Sequence, residues 1–473
     1  MFINLNQNKN LKLFKIISSV ANENGQTVYA VGGYVRDLLM GRATPTDIDF
    51  VTEQSGIALA KSIAEQVAPE QKVSVFKTYG TAMFRYEDLE LEFVGARKES
   101  YSEDSRNPAV EQGSLEDDQK RRDFTINAMA ISLNQENFGE LIDPFNGRQD
   151  LADKILRTPL EPRQTYSDDP LRMMRAIRFA CVLDFQIEAH SLQAIKEEAE
   201  RIRIVSMERI MTEFNKIMLS AKPSKGLKIL EETGLLDHIL PELTALKGID
   251  EVDGHTHKDN FFHTLEVVDN IAQNTDKLWL RWAALLHDIG KAPTKKFEKG
   301  TGWTFHGHEY LGSKMLKPLF KRLKLPLGND LKYVQKLVKM HARPIALVTD
   351  NASDSALRRL VFDSGEDLED LFTLCKADIT TKNHAKQTKF KKNYEYVAQK
   401  IKEVEERDRV RNFQPPISGE EIMQLFGIKP GKEIGILKEK VKEAILEGEI
   451  ENNPEQAKNF VLREGSKMGL IAV

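Results

Sequence analysis

Two aspartates one residue apart, Asp47 and Asp49 in TPTDIDFVTE, follow closely on the glycine pair Gly32 and Gly33 and on Arg36. In an extended strand alternate side chains share a face, so both carboxylates would point the same way. Like charges held that close are costly unless a cation relieves them. Mg²⁺ answers the need, because it takes carboxylate oxygens together with phosphate groups. A third acid on a neighbouring strand would complete the site, and LELEFVG offers Glu92 or Glu90, which parity puts on one face. A turn at Gly32 and Gly33 would let backbone N–H groups approach phosphate oxygens, and Arg36 would add a guanidinium fork. The plainer alternative is a turn followed by carboxylates that cap a helix.

The elements that must hold these groups change character along the chain. Residues 1–150 mix β-rich runs (TVYAVGG, DIDFV, KVSVF, TAMFRY, LELEFVG) with the helical GIALAKSIAEQVA, which predicts an α/β module. From 151 to 250 amphipathic helices follow one another, among them PLRMMRAIRFACVL and SMERIMTEFNKIML. Residues 251–385 hold eight of the ten histidines, and 386–473 read as a charged helix, a Pro-Gly break and two short helices around KPGKEIG. A chain of 473 residues has room for several cores. Its net charge of −4 argues against indiscriminate coating of nucleic acid but permits a local basic surface. No apolar run approaches the roughly 18–20 residues that span a bilayer, and no secretory signal is visible, so a cytoplasmic location is expected. Cys181 and Cys375 are expected to be buried thiols.

A second block, DDQKRRDFTINAMA, puts Arg121 and Arg122 ahead of Asp123 and Asn127. Alone it is a solvated charge run. Together GGYVRD…DIDF and RRDFTINAM resemble the polymerase-β-type nucleotidyltransferases, and within them the bacterial CCA-adding tRNA nucleotidyltransferase and poly(A) polymerase family. The resemblance implies Asp47, Asp49 and Glu92 as the catalytic, Mg²⁺-binding carboxylates. It implies Gly32, Gly33 and Arg36 on the triphosphate, and Arg122, Asp123 and Asn127 on phosphates and ribose. An RNA 3′-hydroxyl would attack the α-phosphate of a nucleoside triphosphate and pyrophosphate would leave, with no protein nucleophile.

In TYSDDPLRMMRAIRFA, Asp168 or Asp169 is expected to cap a helix whose first turn holds Pro170. Asp169 and Arg172 are three apart and neighbours on one face, an acceptor beside a donor fork. Cytosine and adenine show an exocyclic amine next to an unprotonated ring nitrogen, so this pair would accept C and A and leave U and G with unpaired polar groups. The segment also resembles the family's template motif Glu-Asp-x-x-Arg, with Asp168 in place of Glu, which adds Arg175 and Arg178 of the same helix to the nucleotide-binding set. Glu208 and Arg209 match the family's neck helix and are expected to brace it.

His263, the adjacent His287-Asp288, His306, His308, His341 and Asp378 are too many for isolated core histidines, and they favour a transition metal such as Mn²⁺, Ni²⁺ or Co²⁺. The pattern resembles the HD phosphohydrolase superfamily, which implies His263, His287, Asp288 and Asp378 as direct ligands. His308 and His341 would serve a second metal or a phosphate. Between Lys382 and Arg411 ten Lys or Arg face five acids, with Phe390, Tyr394 and Tyr396 interleaved, which suits RNA phosphates.

The chain therefore reads as multi-domain: an α/β nucleotidyltransferase head, then mostly α-helical neck, HD and tail parts. The expected partners are the acceptor and T arms of tRNA, with CTP and ATP as substrates and CCA addition as the reaction. The alternatives are a poly(A) polymerase, a CC-only or A-only enzyme, or an RNA-binding HD phosphohydrolase with an inactive head.

Overall fold

In the computed structural model the chain divides into two compact units, Met1–Pro241 and Glu242–Val473. The structure describes residues 1–6, 8–42, 46–102, 105–349, 353–380, 384–408 and 413–473.

The first unit opens with α1 (Leu11–Glu23), β1 (Tyr29–Val31), α2 (Gly33–Leu39), β2 (Asp47–Thr52) and α3 (Gly56–Val67). β3 (Ser74–Phe76), β4 (Thr81–Tyr86) and β5 (Leu89–Gly95) follow, then a hairpin of β6 (Arg97–Ser102) and β7 (Ser105–Gln112), α4 (Leu115–Lys120), β8 (Ala130–Ser132), β9 (Leu141–Ile142) and α5 (Gly147–Asp153). Seven strands form one mixed sheet in the order β3-β4-β5-β2-β1-β8-β9. β2 and β5 run parallel, with Asp47 opposite Glu90 and Asp49 opposite Glu92. The intervening Ile48, Phe50, Leu91 and Phe93 are wholly buried, and Phe50 stacks on Phe93 at 4.8 Å. Residues of α1 and α3, such as Phe14 and Ile63, share that core. Period-two patterning thus commits one sheet face to packing and leaves the acids on the other.

The α/β head gives way to helices. In the first unit these include α6 (Pro162–Asp168), α7 (Leu171–Val182), α8 (Ala189–Glu198) and α9 (Met207–Met218), with α7 packed on α9. Asp168 closes α6, while the Asp169 carboxylate accepts from Leu171 N–H at 3.2 Å. Asp169 therefore does the capping, and Pro170 sits at the boundary rather than in the first turn.

The second unit is built from helices, including Asn260–Ala272, Leu278–Leu286, His308–Arg322, Asn329–Met340 and Leu368–Asp378, with hairpins at 251–256 and 296–304. In the tail the break at KPGKEIG is shorter than the sequence suggests. The helix Gly419–Phe426 ends at Gly427 in the left-handed region, and the next, Lys432–Glu447, already contains Gly435. A third helix, Pro454–Lys467, starts from an Asn453 cap and a proline in its first turn, signals present in the sequence.

Gly147 begins α5 against the Thr125 carbonyl, where a Cβ would overlap backbone. Gly147→Ala should cost about 1–3 kcal/mol by overpacking and lower the melting temperature measured by circular dichroism.

Candidate active site and metal centre

The end of β1 delivers the glycine pair to the acidic face, because Val31 is the register partner of Asp49 and Gly32 is the next residue. Gly32 has φ +73° and caps α2. A Cβ there would stand 3.1 Å from Arg122 Nη1 and 3.4 Å from an Asp49 oxygen, so glycine is what lets these two groups approach the turn. Burial raises the Asp49 pKa, Arg122 counters it, and Asp47 and Asp118 add to the rise. Glu92 is raised by burial and then by Asp49 and Glu90. Glu90, by contrast, lies 4.0 Å from Arg85. The carboxylate excess therefore gathers at Asp47, Asp49 and Glu92, where a divalent cation would relieve it.

The arginine block is built around buried acids. Asp118, fully buried, pairs with Arg121 and, at 2.9 Å, with Arg122. Asp123 accepts from Arg175 Nε at 2.7 Å, from Asn127 Nδ2 at 3.0 Å and from Phe124 N–H at 2.9 Å. Arg36 donates to Asn127 Oδ1 at 2.8 Å and to both oxygens of Asp37. One chain of charge-assisted bonds thus runs Asp37–Arg36–Asn127–Asp123–Arg175 and joins both sequence motifs to α7. The fork expected of Arg36 is directed into this chain. Phe179, unmarked in the sequence, has the guanidinium carbons of Arg36, Arg175 and Arg178 at 5.2, 5.5 and 3.9 Å from its ring centre.

A pocket of about 540 Å³ opens in this unit, lined by Arg122 and Asp123 from the head motif, Asp169 and Arg172 at the start of α7, and Arg209 of α9. Arg172 is fixed by its bond to the Arg121 carbonyl at 2.5 Å. Arg175 also lines the pocket, whereas Arg178 is turned to Glu213 of α9 at 2.5 Å. Glu213 thus performs the bracing expected of Glu208 and Arg209. Asp118 could have been found from its i, i+3 and i, i+4 spacing to Arg121 and Arg122; Phe179 carried no comparable signal, and the spacing of Glu213 pointed to Arg209 rather than to its partner Arg178.

In the second unit, His263 Nε2 lies 2.8 Å from Asp378 Oδ1, and His287 Nε2 lies 3.2 Å from Asp288 and 3.5 Å from Asp378. His308 and His341 approach the other Asp288 oxygen at 3.4 and 3.7 Å. The Nδ1 atoms of His287, His308 and His341 lie 2.8, 2.9 and 2.7 Å from the carbonyls of Ala284, Phe305 and Val338. A carbonyl only accepts, so each Nδ1 carries a proton and each Nε2 faces inward; a metal binding there would take the Nε2 lone pair, displacing any proton that the carboxylates hold on it. His287 Nε2 is buried without a hydrogen bond. Burial opposes charging His287, but Asp288 and Asp378 outweigh it and push its pKa up to about 10; burial and His287 push His341 down to about 4. These donors fit a transition metal, and among the described residues groups of three His, Cys, Asp or Glu donor atoms within 4.8 Å of one another occur only here. Two lysines missed by sequence reading flank the cluster: Lys291 Nζ is 2.6 Å from Asp288 and Lys258 Nζ 2.9 Å from His263 Nδ1. His306 is exposed and outside the cluster. Both cysteines are buried thiols outside any disulfide. In the tail helix Tyr396 is exposed, while the side chains of His384, Phe390 and Tyr394 lie outside the described residues.

Residues 28–157 match the Poly A polymerase head domain, 184–247 the probable RNA and SrmB-binding site of polymerase A, and 260–363 the HD domain. The chain is 34% identical over 359 residues to an A-adding tRNA nucleotidyltransferase of Deinococcus radiodurans, spanning 74% of this chain and 79% of that one. It is 29% identical over 443 residues to a CCA-adding enzyme of Bacillus velezensis, spanning 92% and 94%. A solved CCA-adding enzyme in complex with CTP shares the fold, with a TM-score of 0.65 at 23% identity over 98% of this chain and 96% of that one.

The buried Asp123 sets a pH dependence. Burial alone would raise its pKa, but Arg175, Asn127 and Arg172 hold it down to about 2 against an ordinary 3.8. A depressed folded pKa contributes stability above the unfolded value that is lost as pH falls through the folded one. Acid unfolding should therefore show about 2 kcal/mol lost between about pH 4 and pH 2, a slope that Asp123→Asn flattens in urea melts at several pH values.

Proposed function

The chain belongs to the tRNA nucleotidyltransferase and poly(A) polymerase family, and from that premise we propose that it adds CCA to the 3′ end of tRNA from CTP and ATP. The observation that carries this reading is the single pocket in which Arg122 and Asp123 of the head motif stand beside Asp169 and Arg172 of α7. Asp169 uses Oδ1 on the Leu171 N–H, which leaves its second oxygen for an exocyclic amine. Arg172 uses one terminal nitrogen on the Arg121 carbonyl, which leaves donors for a ring nitrogen. A base of the reversed pattern would leave these groups unpaired, a stronger rejection than any loss of apolar contact.

Asp47, Asp49 and Glu92 would hold Mg²⁺, which when bound supplies Lewis-acid stabilisation of the reacting phosphate. Gly32 and Gly33 let the turn approach the phosphates, Arg122 offers charge beside Asp49, and Asp123 and Asn127 hold the ribose side, with Arg36 and Arg178 acting through Asn127 and Glu213. The RNA 3′-hydroxyl would pass its proton to one of the carboxylates Asp47, Asp49 and Glu92 and bond to the α-phosphate as the bond to pyrophosphate breaks. We assign residues 1–150 to the head, 151–250 to the neck and base-reading helix, 251–385 to the HD module and 386–473 to a tail that holds the acceptor and T arms by shape and backbone charge. Among the described residues no helix is long and apolar enough to cross a membrane; a tRNA substrate would suit a cytoplasmic location.

The experiment is labelled-nucleotide incorporation into tRNA ending at the discriminator base, at CC and at CCA. Two C and one A, then arrest, would establish CCA addition. Asp49→Ala should lower the rate about a hundredfold or more. The higher identity to the Deinococcus enzyme favours a second reading, A addition alone, in which only the CC-ending tRNA is extended.

For the HD module we propose a Mn²⁺, Ni²⁺ or Co²⁺ site acting on phosphorylated or cyclic RNA ends, with His263, His287, Asp288 and Asp378 as ligands and His308 and His341 available to a second ion or a phosphate. Saturating metal should raise the melting temperature of the wild type, by about 2.7 kcal/mol of stability at a hundredfold excess over Kd, and leave His287→Ala unchanged. Phosphate release from such ends by the loaded protein would assign hydrolysis; its absence would assign a structural role.

A further inference from the structure

Arg209 stands apart from the other arginines of the nucleotide pocket. Arg121 and Arg122 are taken by Asp118, Arg172 by the Arg121 carbonyl and Arg175 by Asp123. Arg97, which also lines the pocket, has a partner as well. The guanidinium of Arg209 has none among the described residues, and the side chain is exposed at the pocket wall. Its position is also locally unfavourable. Arg209 falls in the first turn of α9, where a cation opposes the helix dipole. The acid four residues on, Glu213, could have paired with it, but Glu213 is buried and committed to Arg178 at 2.5 Å, with Lys216 at 3.7 Å. A cation placed against the dipole, deprived of its helical partner and aimed at a pocket for phosphorylated molecules breaks a local rule in the way functional residues do.

We propose that Arg209 positions the RNA rather than the incoming nucleotide, by binding a backbone phosphate of the primer strand close to its reactive 3′ end. This rests on the nucleotidyl-transfer reading above. The incoming nucleotide is already provided for: the head carboxylates and Arg122 face its phosphates, and Asp169 and Arg172 its base edge. The anion left without a partner is the phosphodiester of the RNA, which, unlike a nucleotide, must continue out of the pocket into solvent. An exposed guanidinium on α9 meets that need, and its planar fork matches two phosphate oxygens. Arg209 thereby fixes where the 3′-hydroxyl lies without touching the reacting atoms, which makes it a positioning residue.

The test compares wild type, Arg209→Ala and Arg209→Lys on RNA minihelices that carry a neutral methylphosphonate at each linkage near the 3′ end in turn. Arg209→Ala should raise KM for RNA about tenfold, leave KM for CTP and ATP within about twofold, and reduce the salt slope of RNA binding by about 0.7. At one linkage the methylphosphonate should cost the wild type the same factor and cost Arg209→Ala nothing further, and Arg209→Lys should recover part of the loss. A rise in KM for the nucleotide, an equal penalty from every methylphosphonate in both proteins, or no change in KM for RNA would overturn the proposal. Fluorescence anisotropy of the same minihelices reads the coupling without catalysis. A wild type that binds RNA with this coupling but adds no nucleotide would sink the transfer reading and not the phosphate contact, and thermal melts show whether each variant is folded.

Discussion

A carboxylate taken out of water must be met by a cation or by several donors, and the first unit is organised around three such acids. Asp118, Asp123 and Glu213 are each buried, and each is answered by arginines. Breaking any one of these pairs would strand a charge, so the geometry of the arginines is fixed by the cost of moving them. Asp123 matters most, because its partners come from different stretches of chain. Asn127 belongs to its own motif, Arg175 to α7, and Arg36 joins through Asn127 from the glycine turn. The sheet holds the acids, but this bonded chain decides where α7 stands relative to the head motif.

The second unit meets a related problem by other means. Three of its imidazoles, those of His287, His308 and His341, are oriented by backbone carbonyls three residues back, so the scaffold itself fixes a proton on each Nδ1 and turns the inner nitrogens toward Asp288 and Asp378. A positive ion held among these donors would complete a charge balance of the kind that Arg175 provides for Asp123 in the first unit. Lys291 beside Asp288 supplies part of that balance from the protein.

The strands of the head were legible because alternation is strict where one face is packed, and LELEFVG and DIDFV put their acids and aromatics on opposite faces as parity requires. Asp378 was legible only through the resemblance, a lone acid far along the chain that the helix Leu368–Asp378 brings to His263. Arg36 shows what residue type alone leaves out: its fork bonds Asp37 and Asn127, and the second of these contacts spans ninety-one residues of chain. Phe179 looked like one more apolar position of an amphipathic helix, and only tertiary packing surrounds it with guanidinium groups. The tail misled at Gly435, because glycine inside a helix is tolerated once packing outweighs its modest intrinsic cost.

The same network bears on fidelity under the proposed reading. Arg172, which would read the base, is held by the carbonyl of Arg121, and Arg121 shares Asp118 with Arg122. Arg122 is in turn the cation that offsets the Asp49 charge. Base edge and metal-binding carboxylates would then be linked by a few part-buried, charge-assisted bonds and the attraction of Arg122 for Asp49. A mismatched base that left Asp169 or Arg172 unpaired would pull on the arginine beside Asp49. Selection would then act on the rate of transfer as well as on binding, which is where discrimination between nucleotides of equal charge has most effect.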